Sequence, residues 1–411
     1  MKQFPLGLLL TLFLSVPSQA QTNVHTTNTH VFKESIPQLS SRMDILKQSR
    51  MSSDYNHKVI FVIKQKNMEQ LTRFLHAVSD PSSDIYGQHM TGAAVANLTS
   101  NPQGRETVLE YLHATGATVV AETLSGEYIT ATAPVTVWEE MFQCEFYMFH
   151  QTQDNGIIKK VVRTESYSIP AVLNNHVDSV FNTVEMPHEN VVKIRLEKVI
   201  VTPEDEKSGL ATTFYTTPAK IRNAYNMGTS KGSASSTQGI YASINEYYSP
   251  NDLSQFQTKF GLVLQTVSTA IGDHESSSVC SIFPSSCEEA NLDVQYIMAA
   301  SPVSPTTFWY TDLDYFSEWV VLVANTEKPA LVYSISYGME EIYVSDAERD
   351  AFETQTIKLG AMGVTIVAAS GDDGAISRKV RTGGKCRYAP IFPASSPYVI
   401  AVGATMVSLR L

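Results

Sequence analysis

From residue 217 onward, short apolar runs alternate with longer stretches of helical spacing, and this alternation limits the fold more than any other feature. The runs predicted as strands are residues 239–244, 306–310, 330–336 and 363–369. The stretches predicted as helices are residues 218–227, 250–260, 289–300, 315–324 and 345–359. Nearly continuous apolar strands separated by helices are typical of a parallel sheet that helices cover on both faces. The sequence therefore predicts an α/β domain, and such folds place their functional sites beyond the carboxyl ends of the strands.

A different pattern occupies residues 36–189, where strands and helices follow each other in a less regular order. Strands are predicted at residues 59–63, 118–120, 128–130 and 145–149, and helices at residues 68–78, 107–115 and 135–142. Two strand–helix–strand units in this region favour an α+β sandwich of the ferredoxin-like kind. Residues 201–209 are polar, contain Pro and Gly and lack periodicity, so the region 190–213 is interpreted as an exposed linker.

Composition limits the class of protein to which this chain can belong. A length of 411 residues suggests two or three domains, and 43% hydrophobic with 17% charged residues is typical of a globular chain. The net charge of −11 argues against a nucleic-acid partner, because contact with phosphates requires clustered Lys and Arg.

The N-terminus has the layout of a secretory signal peptide. Lys2 precedes a mostly apolar run from Leu6 to Val16, and a small-residue cleavage site ends at Ala20. The run is too short to span a membrane, and no later stretch reaches the roughly 18 apolar residues that a span needs. We therefore expect a signal peptide at residues 1–20, entry into the secretory pathway and no membrane attachment afterwards. The expected division is then an N-terminal domain at 21–189, the linker at 190–213 and the α/β domain at 214–411.

The secretory route permits disulfides and glycosylation. Cys280 and Cys287 are close enough in sequence to close a small loop. Cys144 alternates with aromatic residues and is interpreted as a buried free thiol, and the cysteine spacings match no zinc pattern. Asn97 begins an Asn-Leu-Thr glycosylation sequon, which suggests an exposed loop.

Two carboxylates lie four residues apart in a predicted helix. Glu289 and Asp293 therefore share one helix face, where two like charges destabilise the helix unless they are shielded or partly protonated. One interpretation is an acidic stripe that faces solvent. The other is a pair that shares a proton and acts as an acid or base, and the apolar neighbours Ala290, Leu292 and Val294 favour it.

Asp372 lies in the turn Ser-Gly-Asp-Asp-Gly directly after the predicted strand 363–369. One interpretation is a structural turn in which the side chain bonds its own backbone. The other is a protonated carboxyl group that donates a hydrogen bond to a developing oxyanion.

Ser230 lies in the stretch Gly-Thr-Ser-Lys-Gly, which fits the pattern of a nucleophile elbow. Such an elbow requires a strand before the serine and a helix after it. Here a predicted helix precedes Ser230 and a Ser/Gly-rich stretch follows it, so the segment is interpreted as a loop that ends a helix.

Several motifs, in the right order, resemble the sedolisins, a family of serine-carboxyl peptidases, and in particular their tripeptidyl-peptidase I-like branch. The main two are Glu289-x-x-x-Asp293 followed by Val294-Gln295-Tyr296, and Ser370-Gly371-Asp372-x-Gly374-Ala375. Further matching stretches are Ser79-Asp80-Pro81-x-Ser83-x-x-Tyr86-Gly87, Thr217-Pro218-x-x-Ile221-Arg222-x-x-Tyr225, Tyr247-Tyr248-Ser249-Pro250-x-Asp252-Leu253, Ser334-Ile335-Ser336-Tyr337-Gly338 and Phe392-Pro393-Ala394-Ser395-Ser396-Pro397-Tyr398-Val399. The resemblance runs from Ile36 to Gly403.

The resemblance implies a subtilisin-like catalytic domain that is made as a proenzyme, with residues 21–189 as its activation prodomain. Glu289 would be the general base for a serine nucleophile, Asp293 would orient Glu289, and Asp372 would stabilise the oxyanion. The stretch Ser336-Tyr337-Gly338 would lie along the edge of the substrate cleft. Also implied are peptide or protein substrates, calcium binding near the family's C-terminus, and a secreted or lysosomal location. Activity in acid follows because a carboxyl base stays competent below neutral pH.

The match ends at Gly403, whereas the family continues and carries its nucleophilic serine and its calcium ligands in the later part. We therefore expect a chain truncated before the catalytic serine, with no metal ligands and no peptidase activity on its own. One alternative is a non-catalytic protein whose prodomain inhibits or binds an intact relative. Another is an unrelated hydrolase that uses Ser230.

Overall fold

The computed structural model describes residues 30–152, 158–187, 216–312, 316–376 and 387–404. The predicted signal peptide at 1–20 and linker at 190–213 lie outside these residues.

Every strand and helix predicted in the N-terminal half is present. Its strands are β1 (His30–Ser35), β2 (Ile45–Arg50), β3 (Asn56–Ile63), β4 (Thr118–Glu122), β5 (Tyr128–Pro134), β6 (Phe146–Thr152), β7 (Ile158–Thr164), β8 (Ser166–Pro170) and β9 (Val177–Phe181). Its helices are α1 (Met68–Ser79), α2 (Gly92–Thr99), α3 (Pro102–Ala114) and α4 (Val135–Phe142).

The central sheet of this half has the order β4-β5-β3-β9, and every neighbouring pair is antiparallel. Taken in chain order as a first to fourth strand, the sequence across the sheet is 2-3-1-4, which is the predicted ferredoxin-like arrangement. Strands β6, β7 and β8 are inserted before β9. Strand β6 pairs with β2 and β7, and β8 pairs with β1. Trp138 and Phe142 of α4 cover the sheet, with ring centroids 6.2 and 6.0 Å from that of Phe61 on β3.

The C-terminal half contains the predicted alternation of strands and helices. Its strands are β10 (Gln238–Ala242), β11 (Thr269–Ile271), β12 (Thr306–Tyr310), β13 (Val332–Ile335), β14 (Met339–Glu340), β15 (Thr365–Ala369), β16 (Ile391–Phe392) and β17 (Ile400–Val402). Its helices are α5 (Pro218–Ala224), α6 (Pro250–Lys259), α7 (Ser277–Ile282), α8 (Glu288–Ala300), α9 (Phe316–Ala324) and α10 (Asp346–Ala361).

Six strands form a parallel sheet in the order β11-β12-β10-β13-β15-β17. Side chains alternate between its two faces, as the pleat of a strand requires. Tyr241 of β10 packs against Trp319 of α9 on one face, with ring centroids 5.1 Å apart. Its neighbours Ile240 and Ala242 join the cluster on the other face that contains Val294 of α8. Helices thus cover both faces, and the predicted α/β class is confirmed.

The predicted exposed loop at Asn97 is wrong, because this residue lies within α2. Thr91 caps that helix by accepting a hydrogen bond from the amide of Ala94 at 3.2 Å, and Val95 packs into the protein. The side chain of Asn97 is nevertheless exposed, which is the property that a glycosylation site requires. Within the described residues, no helix is both long and apolar enough to cross a membrane.

Helix α10 is the main contact between the two halves of the chain. Two apolar clusters join the halves, one made by Val62, Tyr128, Phe181, Val321, Ala347 and Ala351 and one that includes Leu71, Val95, Ile357 and Ala361. A buried ion pair also joins the two halves. The ammonium of Lys358 on α10 binds the carboxylate of Glu127 in the N-terminal half. Their side chains are only 6% and 2% exposed. The amide of Gln355 also donates to the hydroxyl of Tyr128 at 3.4 Å.

We expect Lys358→Met to lower the free energy of unfolding by about 3–5 kcal/mol, since Glu127 would stay buried without its partner. Urea denaturation measures this change. Lys328→Met, at an exposed lysine, serves as the control, and replacing Glu127 by Leu in the Lys358→Met background should recover most of the loss. A loss below about 1 kcal/mol for Lys358→Met would show that the pair behaves like a surface ion pair.

Candidate active site

Helix α8 leads the chain back to the start of β12 and so runs opposite to the strands of the parallel sheet. Its first turn therefore lies at the carboxyl edge of that sheet. A disulfide between Cys280 and Cys287 ties the segment just before it, as the spacing allowed. Glu289 and Asp293 therefore lie on the first two turns of α8, at the edge where α/β folds place their sites. Cys144, in the N-terminal half, is a free thiol as predicted, but it is half-buried instead of buried, and burial raises its pKa to about 12.

The carboxyl groups of Glu289 and Asp293 lie against each other and against the hydroxyl of Ser336. Ser336 Oγ donates a hydrogen bond to Asp293 Oδ1 at 2.7 Å. Burial raises the pKa of Glu289 to about 7, although the Ser336 hydroxyl acts in the opposite direction. Burial and then repulsion by Glu289 hold the pKa of Asp293 well above its ordinary value. The arrangement matches a pair that shares one proton rather than an acidic stripe facing solvent.

Asp372 lies near the pair, in the exposed turn after β15. It is close enough for its charge to help raise the pKa of Glu289. The turn depends on Gly371, whose φ of +97° is unfavourable for other residues. A Cβ at that position would also lie 2.9 Å from Cγ1 of Ile391.

Glu246, a fourth carboxylate, was missed by the sequence reasoning. It is 1% exposed in the loop after β10, and its charge raises the pKa of both Glu289 and Asp293. Ile244 and Asn245 turn the chain into this loop with φ of 49° and 57°. Such a conformation is strained for a β-branched residue and is often found at functional sites. The signal was a carboxylate directly after a predicted strand, the same signal that identified Asp372.

The three predicted cleft residues lie in different environments. Ser336 contacts the acid pair, whereas Tyr337 is buried beneath it and packs against Tyr241 with ring centroids 5.4 Å apart. Gly338 is half-buried, and a Cβ there would lie 2.5 Å from Cγ2 of Ile391. The absence of a side chain at Gly338 therefore allows β14 and β16 to pair.

Ser230 lies at the far end of α8. The guanidinium of Arg222 donates both to the carbonyl of Ser230 and to that of Ala300, the latter at 3.1 Å. Ala300 is eleven positions after Glu289 on the helix, a rise of about 16 Å. Ser230 is thus away from the acid pair, and its segment is the predicted loop that ends a helix.

The described residues offer this site acids and a hydroxyl group but no metal centre. In the part of the chain that the structure describes, no three His, Cys, Asp or Glu side chains are grouped so that they could hold a metal ion. The calcium expected from the family is therefore assigned to no residue. A pair that shares a proton can accept another proton in mild acid, and a neighbouring protonated carboxyl can donate one hydrogen bond.

The raised pKa of Glu289 predicts a stability that depends on pH. The folded state binds this proton more tightly than the unfolded state, so the stabilisation is complete below the ordinary value of 4.5 and is lost as pH rises through about 7. We expect the difference in unfolding free energy between the wild type and Glu289→Gln to change by about 1–2 kcal/mol across this range, after allowance for partial exposure.

Urea denaturation at several pH values measures that difference. Glu288→Gln is the matched control, because Glu288 precedes Glu289 on α8 and is exposed. Parallel curves for the wild type and Glu289→Gln would contradict the prediction.

The chain is similar to known proteins over most of its length. Residues 44–186 match the family model described as Pro-kumamolisin, activation domain. Tripeptidyl-peptidase 1 of Homo sapiens is 30% identical over 363 residues, which cover 84% of this chain and 61% of the relative. The same protein of Canis lupus familiaris is 29% identical over 373 residues, covering 87% of this chain and 62% of the relative.

Among solved structures, Pseudomonas sedolisin, a serine-carboxyl proteinase, is similar with a TM-score of 0.37 and 24% identity, over 45% of this chain and 52% of that chain. The chain thus spans about three-fifths of the length of the curated relatives described above, 61% and 62%. The activation-domain match and the identity to tripeptidyl-peptidase 1 over most of this sequence show that the chain belongs to the sedolisin family.

Proposed function

We propose that this chain supplies the prodomain and the acidic catalytic groups of a sedolisin-type acid peptidase that acts on peptide or protein substrates. The observation that carries the proposal is the meeting of Glu289, Asp293 and Asp372 at the carboxyl edge of the parallel sheet, where burial raises the pKa of Glu289 to about 7. Three carboxyls gathered at one edge of a sheet have few structural uses, because their mutual repulsion costs stability.

In the proposed reaction, the Glu289 carboxylate accepts the proton of a serine hydroxyl while the serine oxygen bonds to the carbonyl carbon of the substrate. The carbonyl oxygen becomes an oxyanion, and protonated Asp372 donates a hydrogen bond to it. Glu289 then returns its proton to the leaving amine as the peptide bond breaks. Water hydrolyses the resulting ester by the same route. The family carries its serine beyond the last stretch that matches this sequence, so we infer that residues 1–411 alone do not cleave peptides.

The proposed organisation is a signal peptide at 1–20, an activation prodomain at 21–189, a linker at 190–213 and a peptidase domain at 214–411. The signal-peptide pattern and the identity to tripeptidyl-peptidase 1 support a secreted or lysosomal location. The exposed side chain of Asn97 supports glycosylation there. Calcium binding stays a proposal from the family alone.

We expect residues 1–404, followed by the C-terminal part of human tripeptidyl-peptidase 1, to cleave peptides in acid, and Glu289→Gln to lower kcat by at least about 100-fold. An amide cannot accept the serine proton. Fluorogenic peptides assayed between pH 3 and pH 8, chosen to bracket ordinary and raised carboxyl pKa values, measure turnover. Glu288→Gln on the same chimera should retain full activity.

A chimera that folds but cleaves no peptide would contradict the proposed peptidase function. If the separate prodomain then inhibited human tripeptidyl-peptidase 1, the alternative of a non-catalytic inhibitor would replace it. Equal activity of Glu289→Gln and the unchanged chimera would show that another group is the base.

In the same chimera, we expect Asp372→Ala to lower kcat by about 10²–10³-fold, because the oxyanion loses its donor. Asp372→Asn should retain more activity and extend it to higher pH. The reason is that an amide donates without a titratable proton, whereas Asp372 loses its donor as pH rises. The pH–rate profiles of the two variants test this, and an unchanged kcat for Asp372→Ala would exclude the role.

A further inference from the structure

Ser336 combines a fixed position with contact to both members of the acid pair. It follows β13 directly, so the backbone hydrogen bonds of the central sheet set its place. Its Oγ donates to Asp293 Oδ1 at 2.7 Å, and its hydroxyl is also close enough to the carboxyl of Glu289 to lower the pKa of that group. A hydroxyl has a single proton, and in this arrangement Asp293 receives it.

The other groups around the pair act mainly through charge. Glu246, from the loop after β10, and Asp372, from the turn after β15, are carboxyls that raise the pKa of Glu289. The hydroxyl of Tyr337 is buried beneath the cluster. Repulsion by carboxyls makes the pair hold its proton, but it does not decide which oxygen carries that proton.

The hydrogen bond from Ser336 determines which oxygen of Asp293 is left to carry a proton. Oδ1 of Asp293 already accepts a hydrogen bond, so a proton on Asp293 is left with Oδ2. Oδ2 is buried, and apart from the neighbouring Glu289 carboxyl it has no hydrogen-bond partner among the described residues. A proton on Oδ2 therefore points to Glu289, which stays the carboxylate that can accept a proton.

We propose that Ser336 is a positioning residue that fixes the rotation of the Asp293 carboxyl and so assigns the acid role to Asp293 and the base role to Glu289. The proposal rests on the proposed function, because the two roles matter only if the pair acts on a nucleophile. It goes beyond a place along the substrate cleft, since Ser336 here acts through Asp293 and not by touching substrate.

The test is the titration of the two carboxyls in the 411-residue chain, observed by NMR with ¹³C-labelled Asp and Glu side chains. Glu289→Gln and Asp293→Asn assign the signals. We expect Ser336→Ala to raise the first titration step of the pair by about one pH unit, because the charged form loses a donor. Ser336→Thr keeps the hydroxyl and should titrate like the wild type. Ser336→Cys has a weaker donor, so its first titration step should lie between those of Ser336→Ala and the wild type. It takes the place of Ser336→Ala in the test if that variant fails to fold.

Ser334→Ala is the matched control, because Ser334 is a half-buried serine two residues earlier, on β13 itself. Titrations of Ser336→Ala, or of Ser336→Cys if it must stand in, that superpose on the wild type would overturn the proposal. A change of the same size in Ser334→Ala would also overturn it, because the effect would then be a general loosening of β13. These outcomes leave the proposed function intact. That function fails instead if both wild-type carboxyls titrate at ordinary values, and the positioning role then fails with it.

Discussion

The burial of α10 on both sides is the constraint on which the rest of the structure depends. One side packs on the parallel sheet, where Phe352 and Leu359 join its core, and the other packs on the N-terminal half. A soluble helix normally exposes one polar face. Here the polar residues Gln355 and Lys358 are buried as well, and the N-terminal half supplies their partners Tyr128 and Glu127. The peptidase-like half therefore has its buried charge neutralised only while the prodomain-like half is in place.

That packing continues into the site. The chain leaves α10 through Gly363, whose φ is +88° and whose Cβ would lie 2.8 Å from Cδ2 of His89 in the N-terminal half. It then enters β15, which pairs with β13 and β17 and ends just before Asp372. Because packed interiors transmit displacement rather than absorb it, the distance between Asp372 and Glu289 depends on where α10 is held. The contact between the halves and the geometry of the acids are thus parts of one structure.

The strongest local patterns predicted their elements well. β12 was predicted at the residues where it lies, because five apolar or β-branched residues in a row leave little choice of structure. β17 was not predicted, because its three residues are exposed and are defined by their pairing with β15. The bond between Glu127 and Lys358 was invisible for a related reason. The two residues are 231 positions apart, and no periodicity connects them.

The residues of the site also fall into two groups: those that local sequence patterns identify and those that only the fold reveals. Spacing on one helix identified Glu289 and Asp293, and position after a strand identified Asp372. Glu246 has the same signal as Asp372, yet no motif drew attention to it. The hydrogen bond from Ser336 needed the fold itself, because Ser336 and Asp293 are 43 residues apart and meet only when β13 and α8 pack on the same sheet.

Acidic surroundings also suit buried acids outside the site. Burial raises the pKa of Glu34 to about 7 and that of Glu185 to about 8, as it does for Glu289. Each of these groups binds its proton more tightly in the folded state, so each favours folding as pH falls through those values. His57 acts the other way, because burial lowers its pKa to about 4 and the unfolded chain takes up that proton first, below its ordinary 6.5. The contribution of the three acids to folding stability grows as pH falls from about 8. The histidine opposes them only below its ordinary pKa of 6.5, so the combined contribution of these four groups is greatest in mild acid. A protein with buried acids of this kind is held together best under the conditions in which a carboxyl pair can act as a base.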